Sequence, residues 1–307
     1  MGNWRKAHNA LAHSKGSSLP MSLHFLVIEG NTREVRARVA DKMGRTPAES
    51  YGDVLVTLAG KGARFDITCP ADADAHLPEG RSLADFDGIV ITGSALHVWQ
   101  QAPEAMRQVE LARAVYRSHV PFFGSCWGIQ VATVAAGGVV HRNPRGREIG
   151  YARGICLTEP GKSHAMLEGR PTVFDAPCSH LDEVKELPPD STLLASNAVS
   201  TVQAAEIRHD GGRFWGVQYH PEYRHEHIAY LLDLRADDLI REGKLTSLDQ
   251  KNELIGDLRA LDAEPGLAHV AWRYGLTPEV TDPNRRPREV INFIRWCERA
   301  KSDRGRA

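Results

Sequence analysis

Short apolar runs closed by glycine, serine or proline alternate with stretches of helical spacing over the first two thirds of the chain. Leu23 to Ile28 is one such run, closed by Glu29-Gly30-Asn31, and reads as a buried first strand. Residues 32–44 carry helical spacing and stop at Gly44. The next segment, Val54-Leu55-Val56-Thr57-Leu58, reads two ways. Its β-branched residues suit a strand, while its place before Gly60-Lys61-Gly62 suits the end of a helix. Ala63 to Thr68 predicts a strand stopped by Pro70, and Gly88 to Ile91 predicts a buried strand entering the turn Thr92-Gly93-Ser94. Pro103 opens a helix to about Ser118, because proline fits a first helical turn. Val120 to Ser125 is again a strand, and from Val139 to about Gln218 short strands and turns dominate, ending in Phe214 to His220. Strands and helices alternating at this spacing imply an α/β fold around a mostly parallel sheet covered on both faces. Sites in such sheets form at the carboxyl ends of strands, where Gly93, Cys126 and His220 all fall.

The pattern changes after Glu222. His225 to Gly243 is helical, with Leu231, Leu232 and Leu239 on its apolar side. Ser247 and Gln250 resemble a capping box for a helix carrying Leu254, Ile255, Leu258 and Leu261. Pro287 opens a last helix with Val290, Ile291, Ile294 and Trp296. The expected division is a leader over residues 1–21, an α/β domain over 22–224 and a helical C-terminal extension over 225–307. The leader lacks the apolar core of a secretory signal and reads as disordered, with Met21 as an alternative start.

One stretch concentrates chemistry. The apolar run Pro121-Phe122-Phe123 ends in Gly124-Ser125-Cys126-Trp127-Gly128, and a helical pattern begins at once. Small residues around a nucleophile permit the sharp strand-to-helix turn that holds a reactive side chain in a strained position. Amides at the start of that helix point at the sulfur, an arrangement expected to favour thiolate. His220-Pro221-Glu222 follows 94 residues later, offering a base and a carboxylate to orient it, so that Cys126, His220 and Glu222 form a candidate triad. An oxyanion needs amide donors; Trp127 supplies one, and the turn at Gly93 another. Cys69, Cys156, Cys178 and Cys297 carry no such context and are expected to be inert core.

Composition narrows the setting. The 307 residues are 42% hydrophobic and 25% charged with a net charge of −1, which gives no reason to expect nucleic acid or a membrane as partner. Five scattered cysteines without a CxxC pair suggest neither disulfides nor a metal site, and a reduced, cytoplasmic setting fits. No apolar run reaches the roughly 20 residues of a membrane span.

With Gly124 to Gln130 and Tyr219-His220-Pro221-Glu222 in view, the chain resembles the class I (triad) glutamine amidotransferase family, and within it free-standing proteins similar to the amidotransferase part of GMP synthase. Gly88 to Ser94, Arg147-Glu148-Ile149-Gly150 and Ser179-His180-Leu181-Asp182 match further family segments, and the likeness covers about residues 22–224. It implies a flavodoxin-like, doubly wound sheet. It also implies attack of Cys126 on the γ-carboxamide of glutamine, a γ-glutamyl thioester, and substrate contacts from Gln130, His180 and Asp182, without a cofactor. Asp182 suits the substrate's α-ammonium on charge alone. No ATP-pyrophosphatase loop is present, the oxyanion strand ends Gly-Ser-Ala-Leu rather than Gly-Gly-Pro, and about 80 residues follow where the family domain stops.

Four functions follow from these residues: hydrolysis of glutamine or of another γ-glutamyl amide, ammonia supply to a separate synthetase or ligase, a catalytically silent binding protein on the same fold, or acyl transfer to an alcohol or amine. The intact Cys126, His220 and Glu222 stand against the silent protein. The extension's apolar faces are expected to pack on the α/β domain or across a homodimer, or to cover the active site.

Overall fold

The computed structural model describes residues 22–306, so the leader and the alternative start lie outside the described residues. In chain order the elements begin β1 (His24–Ile28), α1 (Arg33–Met43), α2 (Pro47–Ala59), β2 (Arg64–Thr68), β3 (Gly88–Ile91), α3 (Pro103–Ser118), β4 (Phe122–Ser125) and α4 (Trp127–Ala135). The middle third holds β5 (Val139–Arg142), β6 (Glu148–Leu157), α5 (Glu159–Ser163), β7 (Val173–His180), β8 (Asp182–Glu186), β9 (Ser191–Ser196), β10 (Ala204–His209) and β11 (Gly212–Val217). Six helices close the chain: α6 (His225–Leu234), α7 (Ala236–Arg241), α8 (Leu248–Ala263), α9 (Ala268–Arg273), α10 (Pro278–Thr281) and α11 (Arg288–Arg304).

Nine strands form one sheet in the order β2-β1-β3-β4-β11-β10-β9-β6-β7. From β2 to β11 every neighbouring pair is parallel, and from β11 to β7 every pair is antiparallel. The doubly wound arrangement therefore occupies the half that carries the candidate nucleophile, and an antiparallel extension widens the sheet beyond it. Side chains alternate across the pleat. Phe25 and Val27 of β1 join Tyr51 and Leu55 of α2 and Phe293 of α11 on one face. Leu26 and Ile28 join Val109 of α3 and Ile129 of α4 on the other.

The ambiguous segment Val54 to Leu58 is helical. Its helix starts upstream, where the Thr46 hydroxyl accepts from the Glu49 amide and Glu49 Oε2 accepts from the Thr46 amide at 2.8 Å, a reciprocal cap that outweighs β-branching. At the start of α8 only half of the expected capping box forms. Ser247 Oγ accepts from the Gln250 amide at 3.1 Å, but the Gln250 side chain reaches the Thr246 amide at 2.7 Å instead.

The residues after Glu222 do two different things. Helices α6 and α8–α10 enclose an apolar cluster of their own around Leu232, Leu258, Leu261 and Val280. Helix α11 returns to the sheet, where a Cβ on Gly88 would sit 2.5 Å from Cys297 Sγ. Glu289 of that helix is fully buried and accepts from Arg170 Nε and Nη2, both at 2.7 Å, and from the Tyr219 hydroxyl at 2.8 Å. The last helix is thus tied to the residue preceding His220. Cys178 and Cys297 are buried, as expected of inert core thiols, whereas Cys69 is half-buried and Cys156 is exposed. Cys156 lies on β6 in an alternating strand, where every second side chain leaves the core.

Candidate active site

Because β4 runs between β3 and β11, the segments leaving these strands meet at one carboxyl edge. Cys126 follows β4, Gly93 follows β3 and His220 follows β11. The Cys126 amide donates to Val217 O at 2.7 Å, pinning the elbow to β11. Cys126 has φ 53° and ψ −97°, a conformation that costs a non-glycine residue energy and is held by its surroundings. Those surroundings require glycine at Gly124, where a Cβ would come within 2.8 Å of Gly128 Cα. Strand and helix can approach this closely only without side chains.

His220 Nδ1 donates to Glu222 Oε1 at 2.6 Å, and both side chains are buried. This bond fixes the neutral ring as the tautomer with its lone pair on Nε2. The other carboxylate oxygen, Oε2, accepts from Ser125 Oγ at 2.8 Å, and Ser125 in turn meets the buried Tyr51 hydroxyl at 3.1 Å. Tyr223 stacks on the His220 ring at 3.9 Å with planes 3° apart, and His227 continues the stack at 5.0 Å. A Cβ on Gly93 would lie 2.7 Å from His220 Cε1, so this turn and the imidazole close in on each other.

The sulfur differs from expectation in one respect. The Trp127 amide does stabilise the thiolate, as does Gln218. Burial opposes them and wins, reinforced by the Glu222 and Asp182 carboxylates, and the Cys126 thiol is pushed up to about 12. At rest the site therefore holds a thiol that needs a base, not a preformed thiolate.

Cys126, His220 and Glu222 line a cleft of about 200 Å³ together with Gly93, Gln130, His180 and Asp182. Asp182 is buried; its Oδ2 meets His97 Nδ1 at 2.6 Å, while its Oδ1 has no partner among the described residues. Gln130 Nε2 donates to the Asp182 carbonyl at 3.2 Å and to Gln218 Oε1 at 3.3 Å. His180 is held by protein on both ring nitrogens, by the Asp182 carbonyl at 3.0 Å and by Glu148 Oε2 at 2.8 Å. Gln130 and His180 thus brace the Asp182 turn. Val35, Val39 and Met43 of α1 and Tyr230, Leu231 and Leu234 of α6 form an apolar wall of the same cleft. The chain after Glu222 therefore contributes to the site through α6.

Ser125, Tyr51, Tyr223 and His97 were not legible as site residues. Ser125 reads in sequence only as a small residue of the elbow; its hydroxyl role needs the β4–β11 pairing.

Residues 58–233 match the model of the glutamine amidotransferase class-I family. The chain is 34% identical over 278 residues to the γ-glutamyl-L-1-hydroxyisopropylamide hydrolase of a Pseudomonas species, spanning 89% of this chain and 92% of that protein. It is 30% identical over 190 residues to γ-glutamyl peptidase 3 of Arabidopsis thaliana, 60% of this chain and 73% of that one. A GMP synthase of Nitrosomonas eutropha is 33% identical over 181 residues, which span 56% of this chain and only 33% of the synthase. The crystal structure of a glutamine amidotransferase from Methylobacillus flagellatus shares the fold with a TM-score of 0.61 at 18% identity, over 90% of this chain and 96% of that one. The elbow at the edge of a doubly wound sheet and these likenesses agree: the chain belongs to the class-I glutamine amidotransferase family.

Proposed function

We propose that this protein hydrolyses the amide bond of nitrogen-substituted γ-glutamyl amides through a thioester on Cys126. The observation that carries the reading is the placement of Cys126 and His220–Glu222 in one cleft that continues into an apolar wall built by α1 and α6. Glutamine has nothing to place against that wall, whereas a substituted amide has its leaving amine. The two relatives named for γ-glutamyl substrates support the same reading.

In this account His220 Nε2 takes the thiol proton as Cys126 Sγ attacks the γ-carbonyl carbon. The tetrahedral oxyanion lies between the amides of Gly93 and Trp127, donors that need no rearrangement when charge develops. The imidazolium, stabilised by Glu222, returns the proton to the leaving nitrogen, and the C–N bond breaks. Water, deprotonated by the same imidazole, then cleaves the thioester to glutamate and free thiol. Asp182 Oδ1, buried and without a partner among the described residues, takes the substrate's α-ammonium. A cytoplasmic setting suits this chemistry, since all five thiols are free.

Likeness to GMP synthases supports a second reading, ammonia supply to a separate synthetase. Glutamate release from glutamine and from a panel of N-alkyl γ-glutamyl amides separates the two. The proposed function requires a higher kcat/KM for at least one substituted amide. Glutamine as the best substrate, with alkyl amides inert, would favour the ammonia reading.

A further inference from the structure

Arg147 holds a guanidinium in the wall of the same cleft with little to engage it. Its side chain is only 10% exposed, its Nε is buried without a hydrogen-bond partner, and no other nitrogen of the group makes a hydrogen bond among the described residues. The nearest opposite charge, Glu242 Oε1 just after α7, stops at 3.6 Å from Nε, too far for a hydrogen bond. A buried polar group without a partner is costly, and a buried cation more so. The cost is offset when a ligand brings the missing acceptor.

The backbone explains how Arg147 reaches the site. A turn in which the Gly146 amide donates to Asn143 O at 3.0 Å joins β5 to β6 and delivers Arg147 at the first end of β6. There Glu148 lies opposite His180 in the β6–β7 register, and Arg142 lies opposite Asp182 in the β5–β8 register. Both Arg147 and Asp182 consequently face the cleft that holds Cys126. Among the described residues, Asp182 Oδ1 is a buried acceptor without a donor, and Arg147 Nε is a buried donor without an acceptor. An α-amino acid head group carries the complementary pair on one carbon.

We infer that Arg147 binds the α-carboxylate of the γ-glutamyl substrate, acting with Asp182 as a receiver for the zwitterionic head group. The inference rests on the γ-glutamyl reaction proposed above. Arginine suits the task because its planar fork matches a carboxylate with two parallel hydrogen bonds. The consequence is selectivity: amides of simple carboxylic acids leave both Asp182 Oδ1 and Arg147 Nε without a ligand, γ-glutamyl amides whose α-carboxylate is masked leave Arg147 without one, and both are disfavoured.

The test compares one γ-glutamyl alkylamide with its analogue bearing an α-carboxamide in place of the α-carboxylate, using the full chain. Wild type should favour the free acid by roughly 100-fold in kcat/KM. Arg147→Met should lose roughly that factor on the free acid and far less on the α-carboxamide, so that the preference collapses. Arg147→Lys, which keeps the charge and loses the fork, should fall between. Retained turnover of the masked substrate also shows that the variant is folded. Equal losses on both substrates, or an undiminished preference in Arg147→Met, would overturn the assignment. Wild type that cleaves both substrates equally would remove Arg147 while leaving the reaction standing. Wild type that cleaves neither would remove the reaction and Arg147 with it.

Discussion

Cys126 sits between two opposed influences, a helix-terminal amide that favours its anion and burial beside two carboxylates that disfavours it. Since burial prevails, chemical reactivity at Cys126 should depend on His220 and on a bound substrate rather than on the free thiol. A small neutral alkylating reagent at pH 8 should modify the exposed Cys156 first and Cys126 slowly, while an electrophile built on a γ-glutamyl group should label Cys126; peptide mapping after a time course reads both. Preferential labelling of Cys126 by the small reagent would mean that the thiolate is preformed after all. In the proposed reaction, His220→Asn should be more damaging than Glu222→Gln, because there only the histidine carries the proton. Ser125→Ala removes one hydrogen bond to the Glu222 carboxylate and should lower kcat roughly 10-fold. Unchanged kcat in Ser125→Ala would show that Glu222 is held by His220 alone.

At the scale of elements, α6 and α11 carry the consequences of the chain beyond Glu222. His225 at the start of α6 is buried, with its Nδ1 on the Tyr151 hydroxyl at 2.6 Å and its Nε2 without a partner among the described residues. Burial, and then the charge of Arg286, push its pKa down to about 4 against the opposing Asp262. The folded protein thus resists a proton that the unfolded chain accepts below about 6.5. Its contribution to stability is present above that value and is lost as pH falls toward 4, by about 2 kcal/mol between pH 7 and 5. Urea midpoints at the two pH values, in wild type and His225→Phe, measure this; an equal midpoint drop in both proteins would exclude His225 as the cause. In α11, Glu289→Gln leaves the buried Arg170 without its counter-charge, and destabilisation of about 3–5 kcal/mol is expected. A denaturation midpoint within error of wild type would refute that role. The same burial means that truncation before α11 exposes the sheet face and should cause aggregation.

The hydrophobic pattern showed α1, α3 and the parallel strands because their periodicity and stop signals agree locally. It left Val54 to Leu58 undecided, since the deciding cap lies at Thr46 and Glu49, outside the segment. Three short helices, α5, α9 and α10, escaped because their one or two turns rest on tertiary packing rather than on a repeating apolar face.

For the whole molecule, the meeting of Cys126 with His220 and Glu222 at one sheet edge was legible because Cys126 follows β4 and His220–Glu222 follow β11, and the parallel register of β3, β4 and β11 brings these segments together. Contacts that depend on segments far apart were not legible. Tyr51 reaching Ser125, and Glu289 reaching Tyr219 from the last helix, are products of the complete fold. The cleft likewise takes its nucleophile from the sheet and part of its wall from α6, so leaving-group choice belongs to the assembled protein. The proposed reaction turns on a covalent step at one sulfur. The most direct measurement mixes the protein with a γ-glutamyl alkylamide, quenches with acid during turnover, and maps the protein mass and its modified peptide. The account predicts one γ-glutamyl group on Cys126, absent from Cys126→Ala, whose glutamate release falls to background. Glutamate release by Cys126→Ala at the wild-type rate, with no acyl group on the wild-type sulfur, would contradict it.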